Sequence, residues 1–446
     1  MTIDSTRTDS DWGSQARKRA TLSLAALIFV GAATAQDLPP GVLLHSRVKN
    51  HIQGELQSLY RISCLETVRR ERQPPRGKMR PLDTVRLEVL TTDDKELFAS
   101  PGDRKFSEQH PLSYAGSGTL SNGLFGPYLR DIVLGGAVTD EYKGEEEVGG
   151  RRLARYDYRV PPMFSGQMIH MLEGSGRVGL HGSYWVDPQT YDVIRLEMNA
   201  DNFPPTLPVA EFTTSISYVR TRLGNDGMAL LPEAADVRLV KESGEINHNQ
   251  VEFTHCRVFG AESTIDFSAP DAAEPAPRFA TVSVDDTLRP LPEGLQIAVK
   301  LRSRLSGDTA VGTLIEGVVA DNVPAKHAVI PAGSPVRGRV RRMERYTEPF
   351  PYFIIGLEFT EVEVEGIRHL FYADLVEINR TPRVDLTLNI QDTATTETNA
   401  AGVLTRKSKE SILLYNLPGV ATFFYRGAKL DLPQDFRTVW KTRPLK

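Results

Sequence analysis

The sequence is poor in cysteine and lacks the short motifs that mark common catalytic sites. Only two of its 446 residues are cysteines. It contains no G-x-S-x-G elbow, no H-E-x-x-H pair, no P-loop and no C-x-x-C pair, so it offers none of the usual signatures of a serine hydrolase, a zinc protease, a nucleotide-binding enzyme or a thiol redox site. We therefore assign no catalytic residue, no metal ligand and no cofactor, and predict a non-enzymatic protein.

The chain also lacks a strong excess of charge. It carries 53 basic and 57 acidic residues, a balance that recruits neither nucleic acid nor anionic lipid. Arginines cluster at residues 69–72 and 337–345, but apolar and acidic residues stand among them. Both clusters are predicted to be solvated surfaces.

The N-terminus has the features of a secretory signal peptide. Arg17, Lys18 and Arg19 lead into the apolar run Leu22–Val30, and Ala33-Thr34-Ala35 follows. The run is short for a helix that must cross a hydrocarbon core of about 30 Å. We expect residues 1–35 to be cleaved after Ala35 and the mature protein to be periplasmic, within the cell envelope.

In that oxidising compartment, a disulfide between Cys64 and Cys256 is the first hypothesis. Two buried, unpaired thiols remain the alternative. If the cysteines pair, the first and last strands of the N-terminal domain must lie close together. His248 and His255 have opposite parity on a regular strand, which argues against joint metal ligation with Cys256.

A change in composition divides the mature chain into two predicted domains. Residues 268–277 read SAPDAAEPAP, which is rich in proline, alanine and acid without apolar periodicity and is typical of a linker. The predicted organisation is an N-terminal domain at residues 36–267, a linker at 268–290 and a C-terminal domain at 291–446.

The periodicity of the first half predicts helices that cover a sheet. Leu44, Val48, Ile52, Leu56 and Leu59 line one face of a helix that follows Pro39-Pro40 and runs to about Ser58. A second, short helix is predicted within Leu124–Leu134. Alternating apolar and polar residues predict antiparallel strands at Thr84–Leu90, Arg152–Val160, Ser183–Val186, Asp192–Met198, Glu211–Arg220 and Asp236–Lys241.

One string supports a family resemblance. Tyr184-Trp185-Val186-Asp187-Pro188-Gln189-Thr190 places a tight turn between two strands, and Arg195-Leu196-Glu197 follows on the second. A leading helix, a meander of strands and this turn resemble the LolA/LolB-type lipoprotein carriers over residues 41–267. The resemblance implies a half-open antiparallel β-barrel with helices over its mouth and an interior that accepts acyl chains.

The carrier resemblance suggests where an apolar ligand, such as a lipid, an acyl chain or a lipidated or unfolded partner, would bind. The segment Pro161–Leu172 is read either as a pliable, methionine-rich lid or as a hairpin arm packed in the core. This chain is longer than the carriers and has a second domain. The candidate ligand-binding residues are Leu44, Val48, Ile52, Met163, Phe164, Met168, Met171 and Trp185.

The second half is predicted to be a smaller β-barrel or sandwich. Residues 330–340 read IPAGSPVRGRV, a strand–turn–strand pattern similar to the β-barrel domain of TrbI-type conjugation and secretion-channel components; only the fold is carried over. Further strands are predicted at Leu295–Leu301, Leu314–Val319, Thr422–Tyr425 and Arg437–Lys441, with a hairpin of Tyr352–Val362 and His369–Ile378 joined at Glu365-Gly366.

The predicted fold is therefore mainly β, with an α+β first half, and three functions remain open. The first is a binding protein that holds an apolar ligand in the half-barrel. The second is an assembly protein of the envelope whose sheet edges pair with other envelope proteins. The third and weakest is a hydrolase that uses Asp187, Asp192 and Glu197, if these acids converge in a pocket.

Overall fold

A computed structural model describes most of the chain after the leader. The described residues are 39–259 without 93–94, 104, 116, 172–173 and 225–226; 289–379 without 326–327; and 383–386, 396–398, 404–406 and 419–444. The predicted signal peptide and the linker sequence at 268–277 lie outside these residues. Pro40–Lys446 forms one compact unit.

Two α-helices occur in the described chain, and both begin at a proline. Helix α1 spans Pro40–Leu59 and helix α2 spans Pro127–Val133, with a 3-10 turn at Pro111–Tyr114 between them. Proline suits a first helical position because it has no N–H to leave unsatisfied there. Both predicted helices are confirmed. None of the described helices combines the length and the hydropathy needed to cross a membrane.

The first sheet has ten antiparallel strands in the order β3-β2-β1-β12-β11-β10-β9-β8-β5-β4. It curls into a half-barrel that has β3 and β4 at its two edges. The alternation of buried and exposed residues predicted from the sequence is present along these strands. Their bounds are β1 Ile62–Gln73, β2 Arg80–Thr91, β3 Glu96–Ala99, β4 Thr139–Val148, β5 Arg151–Val160, β8 Gly179–Val186, β9 Val193–Asp201, β10 Val209–Arg222, β11 Met228–Lys241 and β12 Ile246–Val258.

The turn between β8 and β9 forms where the sequence predicts it. The Asp187 amide donates to the carbonyl of Asp192, and the Tyr191 amide donates to that of Asp187. The Asp187 carboxylate also accepts the amides of Gln189 and Thr190. An aspartate at this position thus satisfies turn amides that no strand partner reaches.

The second sheet follows the order β13-β21-β20-β19-β16-β14-β28-β22, and β26 links β20 to β23. All its pairs are antiparallel except β13 with β21. The strand bounds are β13 Arg289–Pro290, β14 Gln296–Leu301, β16 Leu314–Val319, β19 Pro335–Tyr346, β20 Tyr352–Val364, β21 Ile367–Leu370, β22 Ala373–Ile378, β23 Val384–Asp385, β26 Ala421–Arg426 and β28 Arg437–Thr442.

The predicted hairpin at Glu365-Gly366 is present, but its second arm is divided. Strand β21 pairs with β20, whereas β22 leaves this pairing and joins β28. Glu365 and Gly366 both have positive φ, at 49° and 80°, as a tight two-residue turn between twisted strands requires.

Four short pairs complete the described strands. They are β6 Met168–His170 with β7 Ser175–Arg177, β15 Leu305–Ser306 with β27 Asp431–Leu432, β17 Val323–Ala325 with β18 Ala328–Ile330, and β24 Thr396–Thr398 with β25 Leu404–Arg406.

The two sheets share contacts that include main-chain hydrogen bonds. The Arg86 amide on β2 donates to the carbonyl of Val311 at 3.0 Å, and the Val311 amide donates to the carbonyl of Thr84 at 2.8 Å. Buried side chains from both sheets form one continuous apolar cluster. The half-barrel and the second sheet are therefore packed against each other over a common core.

Buried ion pairs accompany these contacts, which corrects the expectation that the two arginine clusters are solvated. Arg70 binds Asp83 through two contacts of 2.6 Å, and Arg342 binds Glu344 at 2.5 and 2.9 Å. Arg339 reaches across to Asp103 at 2.6 Å. Each buried arginine is compensated by a carboxylate. Glu344 lies two residues from Arg342 on the same strand, Asp83 lies on the strand next to Arg70, and only Asp103 comes from a distant part of the chain.

The disulfide joins neighbouring strands of the half-barrel. Cys64 on β1 is bonded to Cys256 on β12, with their Cα atoms 4.0 Å apart and a sequence separation of 192. Strand β1 pairs with β12 over its whole length. The first and last strands of the half-barrel are thus linked both by hydrogen bonds and covalently.

Candidate ligand-binding half-barrel

Helix α1 covers the concave face of the half-barrel with a stripe of apolar side chains. Val48, Ile52, Leu56 and Leu59 recur every three or four residues and are at most 4% exposed. The helix packs on β11 and α2, while the intervening residues face solvent. Apolar burial is roughly proportional to area and is non-directional, so this stripe provides most of the attraction that holds the helix down.

One rim of the helix is fixed by Asp140 on β4. Its carboxylate lies 3.4 Å from Nε2 of His45 and 3.8 Å from Nζ of Lys49, and it accepts the hydroxyl of Tyr184 at 3.1 Å. Burial raises the pKa of Asp140 despite these neighbours, and burial lowers the pKa of His45. Near the start of the helix, the Tyr156 hydroxyl donates to the Gly41 carbonyl at 2.8 Å.

The other rim is fixed by a cluster of His51, Glu55, Asp192 and Arg220, which we name the Arg220 cluster. The guanidinium of Arg220 binds Asp192 at 2.6 and 3.0 Å and Glu55 at 2.8 Å. His51 Nε2 lies 2.8 Å from Asp192. Burial alone would raise the pKa of Asp192, but these hydrogen bonds hold it below its usual value.

The Arg220 cluster contains side chains that could ligate a metal ion, but the positive charge beside its carboxylates is that of the Arg220 guanidinium. Ligand atoms of His51, Glu55 and Asp192 lie within 4.8 Å of one another. Because Arg220 already bonds both carboxylates, we assign the cluster to anchoring α1. The cluster is not evident from the sequence, although His51 and Glu55 are four residues apart on the helix and flank the buried Ile52. The arginine and the aspartate come from distant strands.

The structure brings together only some of the residues predicted to bind a ligand. Val48 and Ile52 are fully buried beneath α1, and Leu44 and Met171 pack partly buried against the same core. Trp185 is buried but lies outside that core. It sits on the opposite face of β8 from Tyr184, between the guanidinium groups of Arg155 and Arg195 at 5.6 and 5.7 Å.

The methionine-rich segment forms a small arm with an exposed tip. Met163, Phe164 and Met168 are 71%, 60% and 36% exposed, whereas Ile169 is buried. The amide of Phe164 donates to Pro161 in a turn, and β6 pairs with β7 behind it. The arm thus combines features of both sequence interpretations, with its base in the core and its tip in solvent. Leu172 lies outside the described residues.

Aromatic side chains fill one wall of the interior. The rings of Tyr156 and Tyr184 stack with centroids 5.2 Å apart, and His45 of α1 stacks on Tyr156 at 5.2 Å. On the opposite side, Phe125 meets Phe253 at 5.6 Å. The apolar stripe of α1 is buried on the concave face, so a ligand bound at that position would have to take its place.

Two carboxyl groups interrupt the apolar interior. Glu96, at the start of β3, accepts the amides of Gly123 and Phe125, the latter at 2.6 Å, and thereby holds the loop before α2. Burial raises the pKa of Glu96 to about 7 in spite of these bonds. Glu66 on β1 is 4% exposed, and burial together with the neighbouring Glu96 raises its pKa well above the usual value.

Gly123 is required where it stands beside Glu96. Its φ is 94°, a conformation that side chains with a Cβ rarely adopt. A Cβ there would also lie 2.9 Å from the ring of Tyr128. The sequence shows only a flexible Asn-Gly loop at this point, and the structure shows that the loop is fixed by a carboxylate.

The acids considered for a hydrolase do not form a pair. Asp187 binds Arg151 at 2.7 Å, Asp192 binds Arg220, and Glu197 binds Arg195 at 2.5 Å. Hydrogen bonds lower the pKa of Asp187 as they do that of Asp192, against the opposing effect of burial. Neither is therefore held protonated as a general acid at neutral pH.

A small cavity lies beside the second sheet. It has a volume of about 220 Å³ and is smaller than the pockets that usually enclose drug-sized ligands. Its lining residues are Arg383, Val384, Tyr425, Asp431, Leu432, Pro433 and Phe436.

Comparison with solved structures finds proteins similar to about half of this chain. A LolA superfamily protein from Nitrosomonas europaea covers 48% of this chain and 94% of its own, at 10% identity and a TM-score of 0.25. A DUF1329 family protein from Desulfovibrio piger covers 51% and 96%, at 12% identity and a TM-score of 0.27. LolA-type proteins, which the N-terminal half is predicted to resemble, are thus among the structures found.

A third similar structure is a domain from Vibrio parahaemolyticus that is described as an outer membrane lipoprotein-sorting protein domain. It covers 49% of this chain and 95% of its own, at 11% identity and a TM-score of 0.27. No protein-family model matches the sequence, and no curated protein matches it.

Proposed function

We propose that this chain is an exported, non-enzymatic binding protein of the cell envelope that holds an apolar ligand, such as an acyl chain, in its half-barrel. The observation that carries the proposal is the attachment of α1. Its buried stripe fills the concave face, while polar groups at the rim, Asp140 and the Arg220 cluster, hold its two sides.

An attachment of this kind allows exchange between helix and ligand. If α1 swings away, the sheet keeps all its ladder hydrogen bonds, and an acyl chain can cover the apolar surface that Val48 and Ile52 leave. The cost of exposing the stripe is then offset by the ligand's own burial at about 25 cal/mol per Å². Met163 and Phe164, exposed at the tip of the neighbouring arm, offer an apolar entry surface.

The predicted leader and the disulfide support placement in the envelope. A cleavable signal peptide at residues 1–35 would export the chain, and the disulfide between Cys64 and Cys256 is typical of an oxidising compartment. We propose a periplasmic location with at most peripheral contact with membranes.

The proposal is tested by native mass spectrometry and lipid extraction of the protein purified from the envelope of its own host, followed by titration with a fluorescent naphthylamine probe. We expect a co-purifying lipid or acylated partner and saturable probe binding. Arg220→Ala, which loosens one rim, should speed probe uptake several-fold, while Arg222→Ala on the exposed part of the same strand should not. A lipid-free protein that does not bind the probe would overturn the proposal.

An assembly role is a second candidate because one observation favours it. Strand β4 is an edge of the half-barrel and is largely exposed, so a partner strand could pair with it. Glu145, Glu146 and Glu147 lie on this edge, and Gly144 adds an irregularity in its pairing with β5. Capture of a partner that is lost when β4 residues are replaced by proline, from a protein without lipid, would favour this role.

A further inference from the structure

The cavity beside the second sheet brings together two hydrogen-bond donors that lack an acceptor. Nη1 of Arg383 donates to the hydroxyl oxygen of Tyr425 at 3.4 Å, and both residues line the cavity. In the described chain, no carboxylate pairs with Arg383, and no acceptor receives the hydroxyl hydrogen of Tyr425. An acceptor with two oxygen atoms could bond to both groups at once, because they already lie side by side.

The other charged group of the lining is already neutralised. Asp431 also lines the cavity, but Arg304 binds both of its carboxylate oxygens, through Nε and Nη2. Among the described lining residues, Arg383 is therefore the one charge without a counter-charge. The cavity accordingly favours an anion over a cation, since an ammonium group would meet the guanidinium as a like charge.

The remaining lining of the cavity is apolar. Val384, Leu432 and Phe436 are 8%, 1% and 1% exposed, and Pro433 completes the lining. The ring of Phe436 stacks on Phe423 with centroids 5.8 Å apart, which holds this wall in place. A ligand that fits the cavity must therefore combine a polar end with an apolar body, as binding pockets for small molecules usually require.

We infer that this cavity is a binding site for small monocarboxylates that carry an apolar group. The carboxylate accepts hydrogen bonds from Arg383 and from the hydroxyl of Tyr425, while the apolar group packs against Leu432 and Phe436. A guanidinium matches both oxygens of a carboxylate, and a hydrogen bond between charged partners is stronger than a neutral one. The volume of about 220 Å³ limits the ligand to a short or single-ring molecule. The lining residues lie outside the half-barrel, so the inference does not rest on the proposed function.

Two sources could supply this chemistry. One is a free small acid, and the other is the carboxyl end of a peptide whose last residue is apolar, because both present a carboxylate beside an apolar group. Benzoate represents the free acid, and N-acetyl-L-phenylalaninate represents the peptide end. Tighter binding of one of the two identifies the source, and either result supports the site.

The test measures the dissociation constants of benzoate, benzamide and acetate with the full-length protein at pH 7.5, by ligand-observed NMR titration. Benzamide keeps the ring without the charge, and acetate keeps the charge without the ring. We expect benzoate to bind at least about fivefold more tightly than either. Arg383→Gln should reduce the affinity for benzoate to that for benzamide, and Tyr425→Phe should weaken benzoate binding about threefold or more.

Arg302→Gln is the matched control, because it also removes one positive charge from the second half of the chain. The Arg302 side chain is 50% exposed, pairs with Glu316 at 3.7 Å and does not line the cavity. This variant should keep all three affinities, and near-ultraviolet circular dichroism should show that every variant is folded.

Three outcomes would overturn the inference. They are equal binding of benzoate and benzamide, an unchanged benzoate affinity in Arg383→Gln, and failure of both benzoate and N-acetyl-L-phenylalaninate to bind. None of them bears on the half-barrel, which the naphthylamine probe reports separately.

Discussion

At the scale of single residues, Glu96 shows how burial and hydrogen bonding oppose each other. The amides of Gly123 and Phe125 favour the carboxylate, yet desolvation is the larger effect and raises the pKa to about 7. Because the folded state then binds a proton more tightly than the unfolded chain, the contribution of this group to stability is greatest at low pH.

This gives a pH prediction for Glu96. The pKa of this carboxyl group is 4.5 in the unfolded chain and about 7 in the folded protein. Its stabilising contribution should therefore be fully present below pH 4.5 and should be lost as the pH rises to about 7. The difference corresponds to at most about 3 kcal/mol of unfolding free energy. Urea unfolding between pH 4.5 and 8 should show this decline in the wild type and a shallower one in Glu96→Gln.

Two comparisons make the Glu96 measurement specific. Burial also raises the pKa of Glu66, so Glu66 lowers stability in the same way as the pH rises. Some decline in unfolding free energy should therefore persist in Glu96→Gln. Glu108→Gln, at an exposed position paired with Lys95, should follow the wild-type curve. A Glu96→Gln protein with the full wild-type pH dependence would contradict the assignment.

At the scale of elements, α1 was predictable and its attachments were not. The spacing of Val48, Ile52 and Leu56 predicts the helix and its buried face because a period of 3.6 is a local property of the sequence. His51 and Glu55 look like ordinary surface residues until Asp192 and Arg220 arrive from β9 and β10. The role of His51 and Glu55 depends on these partners from distant strands. A single sequence does not show which distant residues will contact each other.

Loss of Arg220 should loosen this helix. Arg220→Ala leaves Asp192 and Glu55 close together without their shared cation, and we expect the unfolding free energy to fall by about 1–3 kcal/mol. Hydrogen exchange should accelerate in the α1 amides more than in β1 or β12. Arg222→Ala should change neither, and equal protection of α1 in both variants would show that the cluster does not anchor the helix.

At the scale of the whole molecule, the sequence predicted the half-barrel better than its packing against the second sheet. Alternating strands and the Asp187-Pro188 turn are local signals, and they placed most strands of the first sheet. Arg70, which forms a buried pair with Asp83, belongs to the arginine cluster at residues 69–72 that was predicted to be a solvated surface. The proposed boundaries at residues 267 and 291 remain a prediction, because residues 260–288 lie outside the described residues.

Asp83→Asn tests whether the two sheets unfold together. The change leaves Arg70 buried with less compensation, and such a loss costs about 3–5 kcal/mol. Because the apolar core is continuous across both sheets, calorimetry should show one transition, shifted to lower temperature. Asp321→Asn, at an exposed pair with Arg437, should have little effect. Two separate transitions in Asp83→Asn would indicate that the sheets unfold independently.

The disulfide should stabilise the molecule by restricting its unfolded state. Replacing Cys64 and Cys256 together by alanine should lower the unfolding free energy by about 2–5 kcal/mol. Reducing agent should have a similar effect on the wild type and none on the double variant. If reduction leaves the wild-type urea midpoint unchanged, the link contributes little to stability.

The hydrogen bonds between Val311 and β2 also limit the stoichiometry of any self-association through the first sheet. A sheet grows into an open-ended fibre only if strands can be added at both of its sides. Here residue 311 occupies the β2 side beyond β3, and β3 is bridged to Ser107. Among the described strands of this sheet, β4 is the long edge that stays accessible. Pairing of β4 with β4 of a second copy would consume that edge in both chains, so the product would stop at two.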